Sequence, residues 1–342
     1  MESQPETPKP LQRRPWLDLM RMLAAVWVFL FHFAREHPVF QTWPWRYVAA
    51  SGAWGVSFFF MLSGYVLMRQ YGPKGQFSID VSSIGLFYKR RLLRIAPVYY
   101  ATLFVFLFFN FFVLSEEPPL KAVFLHLLGI QAWFRDYALS LNFPSWSLSC
   151  EAFFYLTFPL WVKIFRYFPD NIRSECARWG WLLPMVWCAC GIEKWLGLYH
   201  PITNLPLFIS GIFLALYRGP MIWPAAMAFL WLLMGTGLPY DMWRLCESNG
   251  VSASPVFACL ILVGARGAGK VAQLSDVCRI LGEISYPFYL GQYLSFLITK
   301  YLYWQFFHPL WKGFHAGHIF LINTCLALIF VFCVERPLRR SF

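Results

Sequence analysis

Residues 16–35 read WLDLMRMLAAVWVFLFHFAR. The stretch is long and apolar enough for a membrane span, yet it carries Asp18, Arg21 and His32, where a plain span has no polar group. On a helix, Arg21 and His32 are eleven residues apart and fall within roughly 20° of one face, about 16 Å apart along the axis. Asp18, three residues before Arg21, projects near the same face. Hydrocarbon penalises such groups by roughly several kcal/mol each, so the face must look into protein interior or a watery cavity. The stretch reads as one wall of a polar tunnel.

The rest of the chain supports a membrane setting. Of 342 residues, 58% are hydrophobic and only 13% charged, whereas an ordinary soluble domain is roughly a quarter charged. The pattern predicts an all-α, polytopic membrane protein with about ten transmembrane helices, near 16–35, 52–68, 95–114, 147–167, 179–196, 203–217, 221–239, 253–265, 281–299 and 315–334. Residues 1–15 read as a disordered, Pro-rich cytoplasmic tail without the features of a cleaved signal peptide. Residues 16–340 read as a single transmembrane domain. In the long outer loop 115–146, Leu120 to Trp133 reads as an interfacial helix.

Charge orients this count. With the N-terminus cytoplasmic, twenty of the 29 Lys and Arg residues fall in inner segments and eight in outer ones, Arg21 lying within a span. That bias predicts both termini in the cytoplasm. It also accounts for the net charge of +12 without a nucleic-acid partner. The nine cysteines show neither a paired framework nor ligand spacing with histidine, and no metal is expected.

Several stretches carry chemistry. A histidine within a span titrates near neutrality and suits a general base, although packing, heme ligation or a proton relay would also use one. In FYKRRLLRIAPVYY (87–100), Arg91 and Arg94 stand at i, i+3 with Lys89 and Arg90 beside them. Guanidinium forks suit phosphate, while a cytoplasmic anchor explains the charge alone. In SGAWGVSFFFMLSGYVL (51–67), the glycines and serines read as close helix packing. In PSWSLSCEAFFYLTFPL (144–160), Ser147, Glu151 and Tyr155 form a polar strip at i, i+4, i+8. That carboxylate could orient an acceptor hydroxyl, bind a cation or pair with an arginine. In LGEISYPFYLGQY (281–293), Glu283 starts a span, Ser285, Tyr286, Tyr289 and Gln292 line parts of it, and Pro287 kinks the helix or sits in its first turn. VERPLRR (334–340) closes the last span.

Taken in order, these segments resemble acyltransferase family 3, a family of integral membrane acyltransferases. The family's arginine–ten residues–histidine pattern matches Arg21 and His32, and its RxxR pattern matches Arg91 and Arg94. The resemblance implies transfer of an acyl group, commonly acetyl, from cytoplasmic acyl-CoA to a hydroxyl of a carbohydrate or similar acceptor. Such acceptors include exopolysaccharide, lipopolysaccharide and peptidoglycan sugars, and the bacterial inner membrane is the implied location. One departure is Gln292, because many members carry a histidine shortly after the SYPFYL segment.

The expected mechanism follows. Arg91, Arg94 and Arg90 hold the phosphates of acetyl-CoA or another acyl-CoA, and the pantetheine arm passes Arg21. His32 takes the acceptor's proton, with Glu151 orienting the base or the acceptor. Asp18, Ser147, Tyr155, Tyr286 and Gln292 are the expected acceptor contacts. Direct transfer and an acyl-histidine relay both satisfy the residues. A second copy of the chain or a separate downstream transferase is compatible as a partner. The rival classes are a proton-coupled transporter, which an intramembrane Asp–Arg–His face would also serve, and a non-catalytic membrane assembly partner.

Overall fold

In a computed structural model, the chain is described over residues 14–35, 37–42, 44–72, 81–189, 191–236, 253–266, 275–307 and 316–340. Most of the expected tail, residues 1–13, lies outside this range. The described residues contain no strand. The protein is an all-α polytopic membrane protein. Five helical stretches are long and apolar enough to cross a bilayer: Pro15–Phe33, Trp45–Tyr71, Ile84–Val113, Phe143–Tyr167 and Ala316–Leu338. Pro201–Leu216 and Ser254–Arg266 are shorter apolar helices.

The first helix, α1 (Pro15–Phe33), begins with proline at its first position and carries Asp18 in its first turn and His32 in its last. These placements suit the free N–H groups and the dipole at the two ends. A short helix, α2 (Trp45–Ala50), returns to it, and Trp27 donates from Nε1 to the Val48 carbonyl at 2.5 Å.

The most enclosed span is α3 (Trp54–Tyr71), most of whose side chains are buried. It is crossed by α10 (Pro201–Leu216), with which it makes the most extensive helix pairing among the described residues. Gly64 of α3 faces the Phe208 carbonyl and Gly211 of α10 faces that of Met61; a Cβ at either position would collide with backbone. Backbone approach at reciprocal glycines is the small-residue packing expected of 51–67.

The RxxR stretch lies well inside a helix. α4 (Val81–Phe108) continues into a π-helical turn at Phe109–Val113, so Arg91 and Arg94 stand ten and thirteen residues past its start. The span expected over 95–114 begins just after them, because a cationic segment lowers local hydropathy without ending the helix. The face carrying Leu92, Phe104, Phe108, Phe111 and Phe112 is exposed, as a lipid-facing surface must be. The expected surface helix is shorter than 120–133: α5 is Leu120–Leu127. It exposes Leu120, Phe124 and Leu127 and buries Ala122, Leu125 and His126. Tyr99 and Tyr100 of α4 tie it down by donating to the carbonyls of His126 at 2.6 Å and Leu127 at 2.9 Å.

After α6 (Trp146–Tyr167) the chain departs from a single span over 179–196. It forms α7 (Asp170–Trp179), a 3-10 turn at Gly180–Leu182, α8 (Leu183–Ala189) and α9 (Ile192–Leu196). Gly191, with φ of 66°, adopts the left-handed conformation that interrupts this stretch. The chain continues through α10, α11 (Ile222–Thr236), α12 (Ser254–Arg266) and α13 (Ser275–Phe307) to α14 (Ala316–Ile329), a π-helical turn at Phe330–Glu335 and α15 (Arg336–Arg340). Thirty-three residues make α13 about 50 Å long. It packs along α1 and α14. Pro287 lies twelve residues into α13, away from its first turn.

Candidate functional site

Five helices leave a cavity between them. Its lining includes Arg21 of α1; Ser63, Val66 and Leu67 of α3; Arg91, Arg94 and Ile95 of α4; Ser147, Leu148, Glu151 and Tyr155 of α6; and Gly282, Ser285, Tyr286 and Tyr289 of α13. Rings of Phe59 and Phe60 complete the wall. The space is about 100 Å³ for the centres of water molecules. One water occupies roughly 10–15 Å³ by that measure, so the cavity takes a file of waters or a slender chain.

The polar groups form two linked sets. In the first, Tyr155 donates to Glu151 Oε1, one helical turn earlier. Ser63 of α3 lies 3.3 Å from the same oxygen and 3.5 Å from the Tyr155 hydroxyl. A half-buried carboxylate oxygen is satisfied by such donors. The second set is cationic. Arg21 pairs with Asp18 at 3.5 Å. Arg91 donates to the Tyr71 hydroxyl at 3.4 Å, and its guanidinium carbon lies 5.7 Å from the Tyr71 ring centre and 6.0 Å from that of Tyr155. Its buried Nε has no hydrogen-bond partner. Among the described residues, Arg94 has neither a hydrogen bond nor a carboxylate partner.

Donors without acceptors, arranged around a narrow space, suit an anion. A guanidinium fork matches phosphate or carboxylate oxygens, so the residues present fit a phosphate-bearing donor. Among the described residues no group of three or more His, Cys, Asp or Glu side chains could hold a metal ion.

Of the residues singled out from sequence, Arg21, Arg91, Arg94, Ser147, Glu151, Tyr155 and Tyr286 line this one cavity. Tyr286 donates across to the Ile95 carbonyl at 2.8 Å. Asp18 stands beside the cavity through Arg21 and abuts Gly282. Arg90 is not part of the lining.

His32 is not part of the lining either. It occupies the last turn of α1 with its side chain exposed. Its ring meets Phe143 edge-on at 4.6 Å between centroids. Ala25 and Val28, on the same face between Arg21 and His32, are 0% and 1% exposed, so packed side chains interrupt the polar face. Gln292 is also turned away from the cavity. It is fully buried against α1, donating to the Ala25 carbonyl at 3.2 Å, and its Oε1 has no partner.

Three contributors escaped the sequence reading in part or altogether. Ser63 reads as a small packing residue, and Tyr71 lies just past the span expected over 52–68. Tyr289, singled out only as lining its own span, donates towards the Ser147 hydroxyl at 3.0 Å and the Pro144 carbonyl at 2.9 Å. Glu283 and Arg336, read as separate span ends, form an ion pair at 2.9 Å.

A family model described as an acyltransferase domain matches residues 14–336, nearly the whole chain. The protein belongs to acyltransferase family 3. It is therefore an acyltransferase built on membrane helices. Acyltransferase MdmB of Streptomyces mycarofaciens is 28% identical over 339 residues, covering 86% of this chain and 81% of the relative. Nodulation protein 10 of Rhizobium leguminosarum bv. viciae is 25% identical over 365 residues, covering 91% of each chain. No solved structure matches significantly.

Proposed function

We propose that the protein is an O-acyltransferase of a bacterial inner membrane, with both termini cytoplasmic. It moves an acyl group, in the first instance acetyl, from cytoplasmic acyl-CoA to a hydroxyl of a cell-surface carbohydrate. The observation that carries the donor half is the convergence of Arg21, Arg91 and Arg94 with Glu151 on one narrow cavity. Both relatives described above are bacterial, which supports the location. The carbohydrate acceptor rests on the family resemblance.

In this reading Arg91 and Arg94 bind donor phosphates, and the narrow cavity takes the extended arm while leaving the nucleotide outside. Arg21, held by Asp18, places positive charge along that arm. Glu151, fixed by Ser63 and Tyr155, orients the polar groups facing the thioester. His32 stands towards the opposite membrane face, where a surface acceptor would arrive. It removes the hydroxyl proton as that oxygen attacks the thioester carbonyl. The new C–O bond replaces the C–S bond, and the proton returns to the departing thiolate, leaving an ester and a free thiol. Since Ala25 and Val28 fill the face between Arg21 and His32, the helices around α1 must part by about a side chain's width for donor and acceptor to meet.

The test is acyl transfer by purified protein in liposomes, with acetyl-CoA outside or inside and a glycan acceptor on the opposite side. His32→Ala should lose about 10²-fold or more of the rate while still binding acetyl-CoA. Wild-type turnover by that variant sinks the assignment of the base. Failure of the wild-type protein to bind acetyl-CoA sinks the donor assignment.

A further inference from the structure

A second concave site lies on the other face of α3. Ser63, Val66 and Leu67 face the donor cavity, whereas Met68, Arg69 and Gly72 line a separate cup with Arg173, Arg178 and Arg218. The cup measures about 540 Å³ for water centres, several times the donor cavity. It is formed where α3 and α10 end, with α7 along one side. This is the end of the bundle that the charge bias assigns to the cytoplasm.

The wall is built rather than incidental. Arg266 of α12 donates to the Gly219 carbonyl at 2.9 Å and the Tyr217 carbonyl at 3.4 Å, holding the segment after α10 in place. Arg173 ties down the turn from α6 to α7 by donating to the carbonyls of Phe165 at 3.2 Å and Phe168 at 2.8 Å. The same side chain pairs with Asp170 at 3.1 Å, and Arg178 pairs with Glu175 at 3.0 Å.

Those pairs leave charge over. The lining has four arginines and one acid, Asp170. Among the described residues, Arg69 and Arg218 have neither a hydrogen bond nor a carboxylate partner. Carbonyls at the ends of α3 and α10 attract cations, and inner-loop arginines serve topology. Neither effect requires the guanidinium groups to surround a concave space, where they repel one another unless an anion joins them.

We propose that this cup binds a phosphate group, carried either by an anionic phospholipid headgroup or by a soluble phosphate. Arg69 and Arg218 grip it, and Arg178 contributes a shared fork. The site is independent of the donor cavity, because α3 stands between them.

The experiment uses delipidated, detergent-purified full-length protein. Calorimetric titration with inorganic phosphate probes the soluble source. Native mass spectrometry with phosphatidylglycerol, against phosphatidylcholine as control, probes the lipid source. One site, beyond any at Arg91 and Arg94, should bind phosphate or phosphatidylglycerol in preference to phosphatidylcholine. The Arg69→Gln/Arg218→Gln variant should weaken that binding about 10-fold or more, and Arg91→Ala should leave it unchanged. Phosphate binding assigns a soluble ligand; binding of phosphatidylglycerol alone assigns a lipid. The proposal is overturned if the wild-type protein prefers neither probe, if the double variant binds as the wild type does, or if Arg91→Ala abolishes the binding. Should the double variant fail to melt cooperatively, Arg218→Gln, which lies outside any helix, carries the same comparison.

Discussion

Gly282 of α13 lies directly against Asp18 of α1: a Cβ at position 282 would stand 2.7 Å from both Cβ and Oδ1 of Asp18. The contact sets the distance between two helices that wall the cavity, and it seats the carboxylate that pairs with Arg21. Gly282→Ala should therefore push Asp18 off Arg21 and spread α1 from α13. We expect a loss of about 1–3 kcal/mol in stability and a lower kcat/KM. Thermal melting in detergent together with steady-state acetyl transfer checks both.

Arg91 and Arg94 should reveal themselves through the donor. A charge-assisted hydrogen bond contributes about 1.5–3 kcal/mol, so Arg91→Ala or Arg94→Ala should raise the KM for acetyl-CoA by about 10- to 100-fold. The KM for the acceptor should change much less. Lysine at position 91 should restore charge without the planar fork that lies near Tyr71 and Tyr155, and so recover only part of the loss. The reverse KM pattern in steady-state kinetics counts against the phosphate role.

Ser63, Glu151 and Tyr155 should behave as a unit. Tyr155→Phe or Ser63→Ala removes a donor from a carboxylate in a half-buried site, costing about 1–3 kcal/mol each. Because both donors serve Glu151 Oε1, the double variant should differ from the sum of the singles. A double-mutant cycle in denaturation midpoint and in kcat tests the coupling; strict additivity in both would exclude it.

His126 gives the segment between α4 and α6 a pH dependence. It lies on the buried side of α5 and is 0% exposed. Burial lowers its pKa from 6.5, opposed by the hydrogen bond to the Ala122 carbonyl. The unfolded chain then binds the proton more readily than the folded one. Stability from this group is fully present above about 6.5 and is lost as pH falls towards the folded-state pKa. His126→Gln should remove that slope, so the stability gap between wild type and variant should narrow from about pH 7.5 to about pH 5. A gap that stays constant in denaturant unfolding would show that His126 does not titrate differently on folding.

What was legible in the sequence is what one helix can encode. The polar face of Asp18 and Arg21, the i, i+3 arginines and the Ser147–Glu151–Tyr155 strip all follow from a 3.6-residue period within a single element. Hydropathy marked α1, α3, α4, α6 and α14 for the same reason. Local hydropathy also misled: the apolar run at 179–196 looked like one span, although a left-handed glycine and short helices divide it.

The sequence by itself determined that this is a helical membrane protein, that Arg21 and the carboxylates Asp18 and Glu151 stand within its spans, and, through the order of its motifs, which acyltransferase family it resembles. Only the tertiary structure decided which polar groups share a space. It joined Arg21, Arg91, Arg94 and Glu151 across three helices, recruited Ser63 from a fourth, turned Gln292 into the α1 interface, and placed buried Ala25 and Val28 between Arg21 and His32. A helical period specifies direction about one axis. A cavity exists where several helices fail to fill the volume between them, and that depends on side chains far apart in the chain.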